Sequence, residues 1–270
     1  MEKDRSFIYK TEIKGHTMAH SVKSDFNITV KNEVIYKGYN KEKDFHRYII
    51  RELEYTLDSY QDPMVMQIIE MTNRVCSIYK ELDLGINKHG EIKEFLNLNE
   101  VKKKWQDVKE WLTNAHPLES YEVIRAKELE LSHVDFELKN LKFIHFLHQY
   151  FFIFGRKPEA GNTSYVRKNE MDRFGGGIVI PVTLNLLQER KEDLIIRRFE
   201  GKMIRDEDIV QRLREFSKDK FMHPEYGMRG KYTYDNTEDL LVESDFTITE
   251  KLGEHYYTHS YLHLKLEENG

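Results

Sequence analysis

Residues 256–266 alternate without a break between two kinds of side chain. Leu262, Leu264 and Leu266 share one parity, and Tyr257, His259, Tyr261 and His263 share the other. Successive side chains of a strand point to opposite faces, so a period of two predicts a long strand with one apolar face and one polar-aromatic face. A strand of that kind needs antiparallel neighbours and a layer to cover its apolar side. The neighbours are legible: residues 228–234 and 240–250 flank the turn Asp235-Asn236-Thr237-Glu238, and residues 178–188 and 194–204 read as two further strands. At the other end of the chain Phe7-Ile8-Tyr9, the alternating Phe26, Ile28 and Val30, and Val34-Ile35-Tyr36 also favour strands, with Lys31-Asn32-Glu33 as the turn of a hairpin. Residues 45–57 carry both a four-residue apolar spacing and strand-forming content, and are assigned to a strand.

Between these β regions the period changes. Met64, Ile68, Met71 and Val75 make an apolar helical stripe after Pro63, which suits a first helical turn. Residues 82–98 read as a hairpin whose turn, Lys88-His89-Gly90, uses Gly90 for positive φ. Asn99 is the expected cap of a helix with Val101, Trp105, Val108 and Leu112 on one face. A second helix starts near Ser120, and Ser132 with Asp135 marks a restart running through Leu138, Leu141, His145 and His148. Asp206 caps a charged helix with Ile209, Leu213 and Phe216 inward. The sum is an α+β chain: long curved antiparallel strands, half-barrel-like, with helices packed on one side and a concave sheet face. Gly155 to Gly177 is the expected boundary between residues 1–155 and 178–270, unless the two form one continuous domain.

Composition enters by exclusion. Five Pro and 14 Gly among 270 residues leave no flexible linker, and a charge of -5 with both signs mixed throughout argues against a nucleic-acid surface. The clusters Lys102-Lys103-Lys104 and Arg197-Arg198 are offset by nearby acids. Cys76 is the only cysteine, so no intrachain disulfide forms and a reducing compartment fits. Residues 141–154 are interrupted by Lys142, His145, His148 and Gln149 and are too short for a membrane span of about 20 residues. The opening Met-Glu-Lys-Asp-Arg-Ser-Phe-Ile-Tyr-Lys holds no apolar stretch of signal-peptide length, and the expected location is cytoplasmic.

Two stretches carry a resemblance. Leu84-Gly85-Ile86-Asn87-Lys88-His89-Gly90-Glu91-Ile92, with Leu96-Asn97 and the helix of Trp105, resembles a hairpin-then-helix unit of uncharacterised Bacteroidota-type antiparallel-sheet proteins. Gly230-Lys231-Tyr232-Thr233-Tyr234-Asp235, with Leu240-Leu241-Val242 and the long last strands, is similar to the C-terminal hairpins of those proteins and of lipoprotein-carrier-like half-barrels. The resemblance implies a ligand- or partner-binding sheet and brings no catalytic residues. Some such proteins look like neighbours of type VI secretion or polymorphic-toxin genes, which implies an effector chaperone, adaptor or immunity role.

Candidate chemistry is sparse. His145 and His148 stand at i and i+3 on one helix face, a spacing compatible with a metal, but the flanking Phe143, Phe146 and Leu147 favour a packed helix. His259 and His263 lie about 13 Å apart along a strand, too far for one metal. Gly175-Gly176-Gly177 precedes strand-like residues rather than the helix a phosphate loop opens. No Gly-x-Ser-x-Gly elbow is present, and Cys76 has no diagnostic neighbours. No metal or cofactor is therefore expected. The 15 Phe, 16 Tyr and 2 Trp point instead to binding through aromatic contact area. The expected partner-binding set is Tyr257, His259, Tyr261 and His263, joined by Tyr232 and Tyr234 on a nearby strand; a register shift of one would turn any of them to the opposite face. The leading expectation is a non-enzymatic protein of a secretion or toxin system that holds an effector or toxin segment. A carrier of a lipid or other apolar small molecule is the alternative, and an unrecognised hydrolase the third.

Overall fold

A computed structural model describes residues 2–19, 22–58, 63–118, 120–133, 141, 144–151, 169–172, 179–218, 222–238, 240–254 and 256–269. The strands are β1 (Ser6–Ala19), β2 (Val22–Asn40), β3 (Phe45–Leu57), β4 (Glu81–Ile86), β5 (Ile92–Phe95), β6 (Asn169–Asp172), β7 (Val179–Lys191), β8 (Leu194–Met203), β9 (Pro224–Asp235), β10 (Leu240–Leu252) and β11 (Tyr256–Asn269). The helices are α1 (Pro63–Cys76), α2 (Leu98–Ala115), α3 (Tyr121–Ser132), α4 (His145–Phe151) and α5 (Glu207–Ser217), with a 3-10 turn at Ser77–Tyr79. The strands follow one another in the order β5-β4-β3-β2-β1-β11-β10-β9-β8-β7-β6, which is open at β5 and β6. Strand outweighs helix, so the chain is antiparallel sheet with added helices more than a balanced α+β protein. No helix among the described residues is long and apolar enough to cross a membrane.

Sequence expectations change at β2 and β6. Lys31-Asn32-Glu33 does not turn the chain: β2 runs straight through it. Within the continuous strand Lys31 lies 3.9 Å from the Glu54 carboxylate, Asn32 is buried, and Glu33 accepts from Ser6 at 2.7 Å and Arg51 at 3.2 Å. Asn169–Asp172, expected inside a long loop, pairs antiparallel with β7 as β6. The proposed restart at Ser132 and Asp135 lies largely outside the described residues.

The chain divides into two compact units. One comprises Lys10–Thr29 and Arg156–Glu267, the other Glu2–Tyr9, Val30–Gly155 and Glu268–Gly270. The long strands β1 and β2 thus contribute residues to both units.

In the first unit one row of side chains explains the packing. Leu186, Phe199, Gly230, Phe246 and Leu262 stand opposite one another across β7 to β11. The four apolar members are buried, and the Phe199 and Phe246 rings meet edge to face at 4.8 Å. Gly230 makes that contact possible, since a Cβ there would fall 2.2 Å from the Asp245 carbonyl oxygen and 2.6 Å from the Phe199 ring. Asp206 caps α5 as expected, its carboxylate accepting from the amides of Asp208 and Ile209 at 3.0 and 3.3 Å.

In the second unit, β3 and β4 set Tyr48 opposite Leu84 and Ile50 opposite Leu82, all four buried. The α2 stripe of Val101, Trp105, Val108 and Leu112 is buried as its spacing predicts. Asn97, not Asn99, precedes the helix, and its side chain ties the helix entry to β4 by accepting from the Asp83 amide at 2.8 Å and donating to the Glu81 carbonyl at 3.0 Å. Gly90 has φ 77° in the β4–β5 turn.

Candidate functional site

The second unit holds a half-open, mainly apolar cavity of about 340 Å³. Its floor is the sheet face that carries Asn32 of β2, Ile50 and Glu52 of β3 and Leu82 of β4. Strand periodicity puts Ile50 and Glu52 on one face, and the β3–β4 register brings Leu82 opposite Ile50. The remaining wall comes from the end of α1 (Cys76), Tyr79, Lys127 and Glu130 of α3, Leu141 with Ile144, and Phe146 and Leu147 of α4. Leu141, Phe146 and Leu147 are buried, so the cavity is backed by packed core rather than by loose surface side chains.

Polar groups collect on part of this lining. Lys127 is paired with Glu130 one helical turn away and donates to the Tyr79 hydroxyl at 3.1 Å. Burial raises the Glu52 carboxyl above the ordinary carboxylate range, against the opposing pull of Lys80 at 3.9 Å. Cys76 is an exposed residue at the end of α1, but desolvation of its thiol by the surrounding wall raises its pKa, which is the reverse of what a nucleophile needs. Asn32 is only 5% exposed, and its Nδ2 has no hydrogen-bond partner among the described residues. A buried amide donor in that state normally has a protein, water or ligand acceptor.

Sequence reasoning found none of these lining residues. Lys127 and Glu130 look like any exposed i,i+3 pair, and Asn32 sits in the polar break read as a turn. The signal that could have found Asn32 is the strand parity it shares with Val30 and Val34, which a turn would not keep.

The expected partner-binding set lies in the first unit and splits in two. Tyr257, His259, Tyr261 and His263 share one face of β11 and remain half-buried or exposed, while Leu262 and Leu264 on the opposite face are fully buried. Tyr232 and Tyr234 do not join them. Tyr232 pairs with Ser244, which pairs with Leu264, and this register places it on the inner face. Tyr232 is 0% exposed and Tyr234 9%, with the Arg197 guanidinium 5.0 Å from the Tyr234 ring centroid.

On the outer face the polar tips of His259, Tyr261 and His263 are engaged by β10. Tyr261 donates to Asp245 at 2.6 Å, His263 Nδ1 lies 2.8 Å from the same oxygen, and His259 Nδ1 lies 3.0 Å from the Thr249 hydroxyl. Burial alone would raise the Asp245 carboxyl, but the bonds from Tyr261 and His263 and the charges nearby hold it below its ordinary value. The same contact pushes Tyr261 up to about 12. Glu243, Asp245 and His263 each offer a donor atom within 4.8 Å of the others, a spacing compatible with a divalent cation. Lys231 already supplies positive charge there, 3.5 Å from Glu243 and 3.6 Å from Asp245. The His145 side chain lies outside the description, and His148 is half-buried on α4.

Comparison with known proteins bears on the fold. No family model and no curated protein matches the chain, and nothing found bears on the resemblance drawn from the two hairpins. Among solved structures, the chain is similar to lipovitellin, in a structure describing lipid–protein interactions, with a TM-score of 0.52 and 7% identity over 100% of this chain. The chain spans about a quarter, 26%, of the lipovitellin chain. An outer membrane channel from Pseudomonas putida F1 aligns at 8% identity over 99% of this chain and 97% of that one, but with a TM-score of 0.19, below any common fold. The likeness to lipovitellin is one of fold: a large open antiparallel sheet accompanied by helices.

Proposed function

We propose that the chain binds an apolar small molecule of the lipid class in the cavity of its second unit and acts as a carrier of it. The observation that carries this reading is the cavity itself, about 340 Å³ with mainly apolar walls backed by buried side chains. A dry apolar cavity of roughly 150 Å³ accepts benzene, so one of this size has room for about a dozen heavy atoms. Ligand sites of this character, apolar walls with a few placed polar groups, commonly begin near about 300 Å³. The fold likeness to lipovitellin supports the reading, since that protein's structure describes lipid–protein interactions.

Binding rather than catalysis is proposed because Lys127 is held by Glu130 and Tyr79, and the Cys76 thiol is pushed away from its reactive form. No observation favours the secretion- or toxin-system partner. The test is mass spectrometry of an organic extract of the purified chain, with extract of a Leu82→Trp variant as control. A near-stoichiometric apolar compound that is lost in the variant is the expected result. Extracts empty or identical in both proteins contradict the reading.

A further inference from the structure

We infer that an occupant of the cavity binds together with a proton on Glu52, so that the chain loads its ligand in acid and releases it as the pH rises. This rests on the carrier reading above and adds its regulation. Glu52 follows Ile50 by two residues on β3 and so shares its cavity face, but where Ile50 is 3% exposed the Glu52 side chain keeps 28% of its surface. The Glu52 amide donates to the Lys80 carbonyl at 2.8 Å, which ties this stretch of β3 to the chain just beyond Tyr79, another lining residue. Glu52 thus brings a carboxyl that solvent still reaches to a mainly apolar wall.

No described group around it replaces that solvent. Lys80 stands 3.9 Å away, too far for a hydrogen bond, and no other cation among the described residues lies as near. On α3, Lys127 is committed to Glu130 and Tyr79, and the Lys127–Glu130 pair brings no net charge. Desolvation already opposes ionisation of Cys76 at the end of α1 and of Tyr55 on β3, and the negative charge of Glu52 opposes it further. Leu141, Ile144, Phe146 and Leu147 offer no charge. An apolar occupant strips solvent from this lining, which costs much for a carboxylate and little for a neutral carboxyl. Occupancy therefore adds to the burial that already raises Glu52. The filled chain then holds more proton than the empty one, so affinity is highest in acid and falls as the pH climbs from the titration of the empty chain through that of the complex.

The test is calorimetric titration of 1-decanol, which carries no charge across the range, into the full delipidated chain between about pH 4.5 and about pH 8. Binding should be about tenfold tighter at the acid end, the equivalent of moving the carboxyl's titration up by one pH unit on occupancy. At intermediate pH the binding heat should vary with the ionisation enthalpy of the buffer in the sense of proton uptake, a readout that needs no variant. In Glu52→Gln the affinity should stay near the wild type's acid value at every pH, because the amide, like the protonated carboxyl, brings no charge. Wild-type affinity that is flat with pH, binding without proton uptake, or a pH dependence retained in Glu52→Gln overturns the proton coupling while leaving the carrier reading intact. Absence of binding at every pH overturns both.

Discussion

Truncating Leu147 to Ala tests the cavity wall and the ligand at once. Leu147 is 3% exposed on α4 and borders the cavity. The substitution removes three carbons, worth about 0.8 kcal/mol each in lost burial, or roughly 2.4 kcal/mol. Because the side chain already faces an open volume, the wall cannot collapse into the space, and a void term adds to the transfer term; Leu-to-Ala changes of this kind cost about 2.7–5.0 kcal/mol. A loss of about 3 kcal/mol is expected, read by urea titration with the denaturant slope unchanged. The same three carbons of space become available to a ligand. Across a series of straight-chain 1-alkanols, the tightest-binding member should lengthen by about two to three carbons in the variant. A stability loss under about 1 kcal/mol would show that Leu147 is not part of a packed wall. An unchanged chain-length preference would show that alkanols bind elsewhere, and would refute the reasoning.

Three further outcomes follow from particular contacts. Glu52→Gln should stabilise the protein at neutral pH: the carboxyl's folded pKa is raised by burial, so its contribution is present below the ordinary carboxylate pKa and is lost as pH rises through the folded value. The melting-temperature advantage of the variant should therefore vanish on acidification below about pH 4, and a difference independent of pH would contradict it. Tyr261 should ionise near 12 because it donates to Asp245; comparing tyrosinate absorbance with and without Tyr261→Phe, the step should fall toward about 10 in Asp245→Asn, and a step that stays put would assign the shift to another group. Gly230→Ala should cost at least about 3 kcal/mol by thermal or urea unfolding, since its Cβ would lie 2.2 Å from a backbone oxygen, and a near-neutral result would mean that the row from Leu186 to Leu262 is not packed as described.

What could be read from sequence was local. The parity of Leu262 and Leu264 against Tyr261 and His263 is a property of one strand, and the structure keeps it. The stripe of Val101, Trp105, Val108 and Leu112, and the Asp206 cap, belong to single helices for the same reason. Tyr232 and Tyr234 lie on the buried face, a placement their residue type does not reveal because a tyrosine suits either face. Their polar neighbours Arg229, Lys231 and Thr233, which share the other parity, were the better guide to which side faces water. The cavity was illegible for a deeper reason. Its wall joins residues near positions 32, 50, 80, 130 and 145, which pairing and helix packing bring together, and no spacing along the chain records that meeting. Asn32 is the sharpest case. A polar residue between strand-like runs normally signals a turn, and only a buried polar site inside a continuous strand gives it another meaning.

The measurement that bears most directly on the central claim is saturable binding of 1-decanol to the delipidated chain, read by calorimetry beside a Leu82→Trp variant whose indole fills the cavity floor opposite Ile50. One site per chain in the wild type, abolished in a variant that unfolds as cooperatively as the wild type, is the predicted result. Undiminished binding in that folded variant, or no saturable site in either protein, would contradict the claim that this cavity is a lipid site.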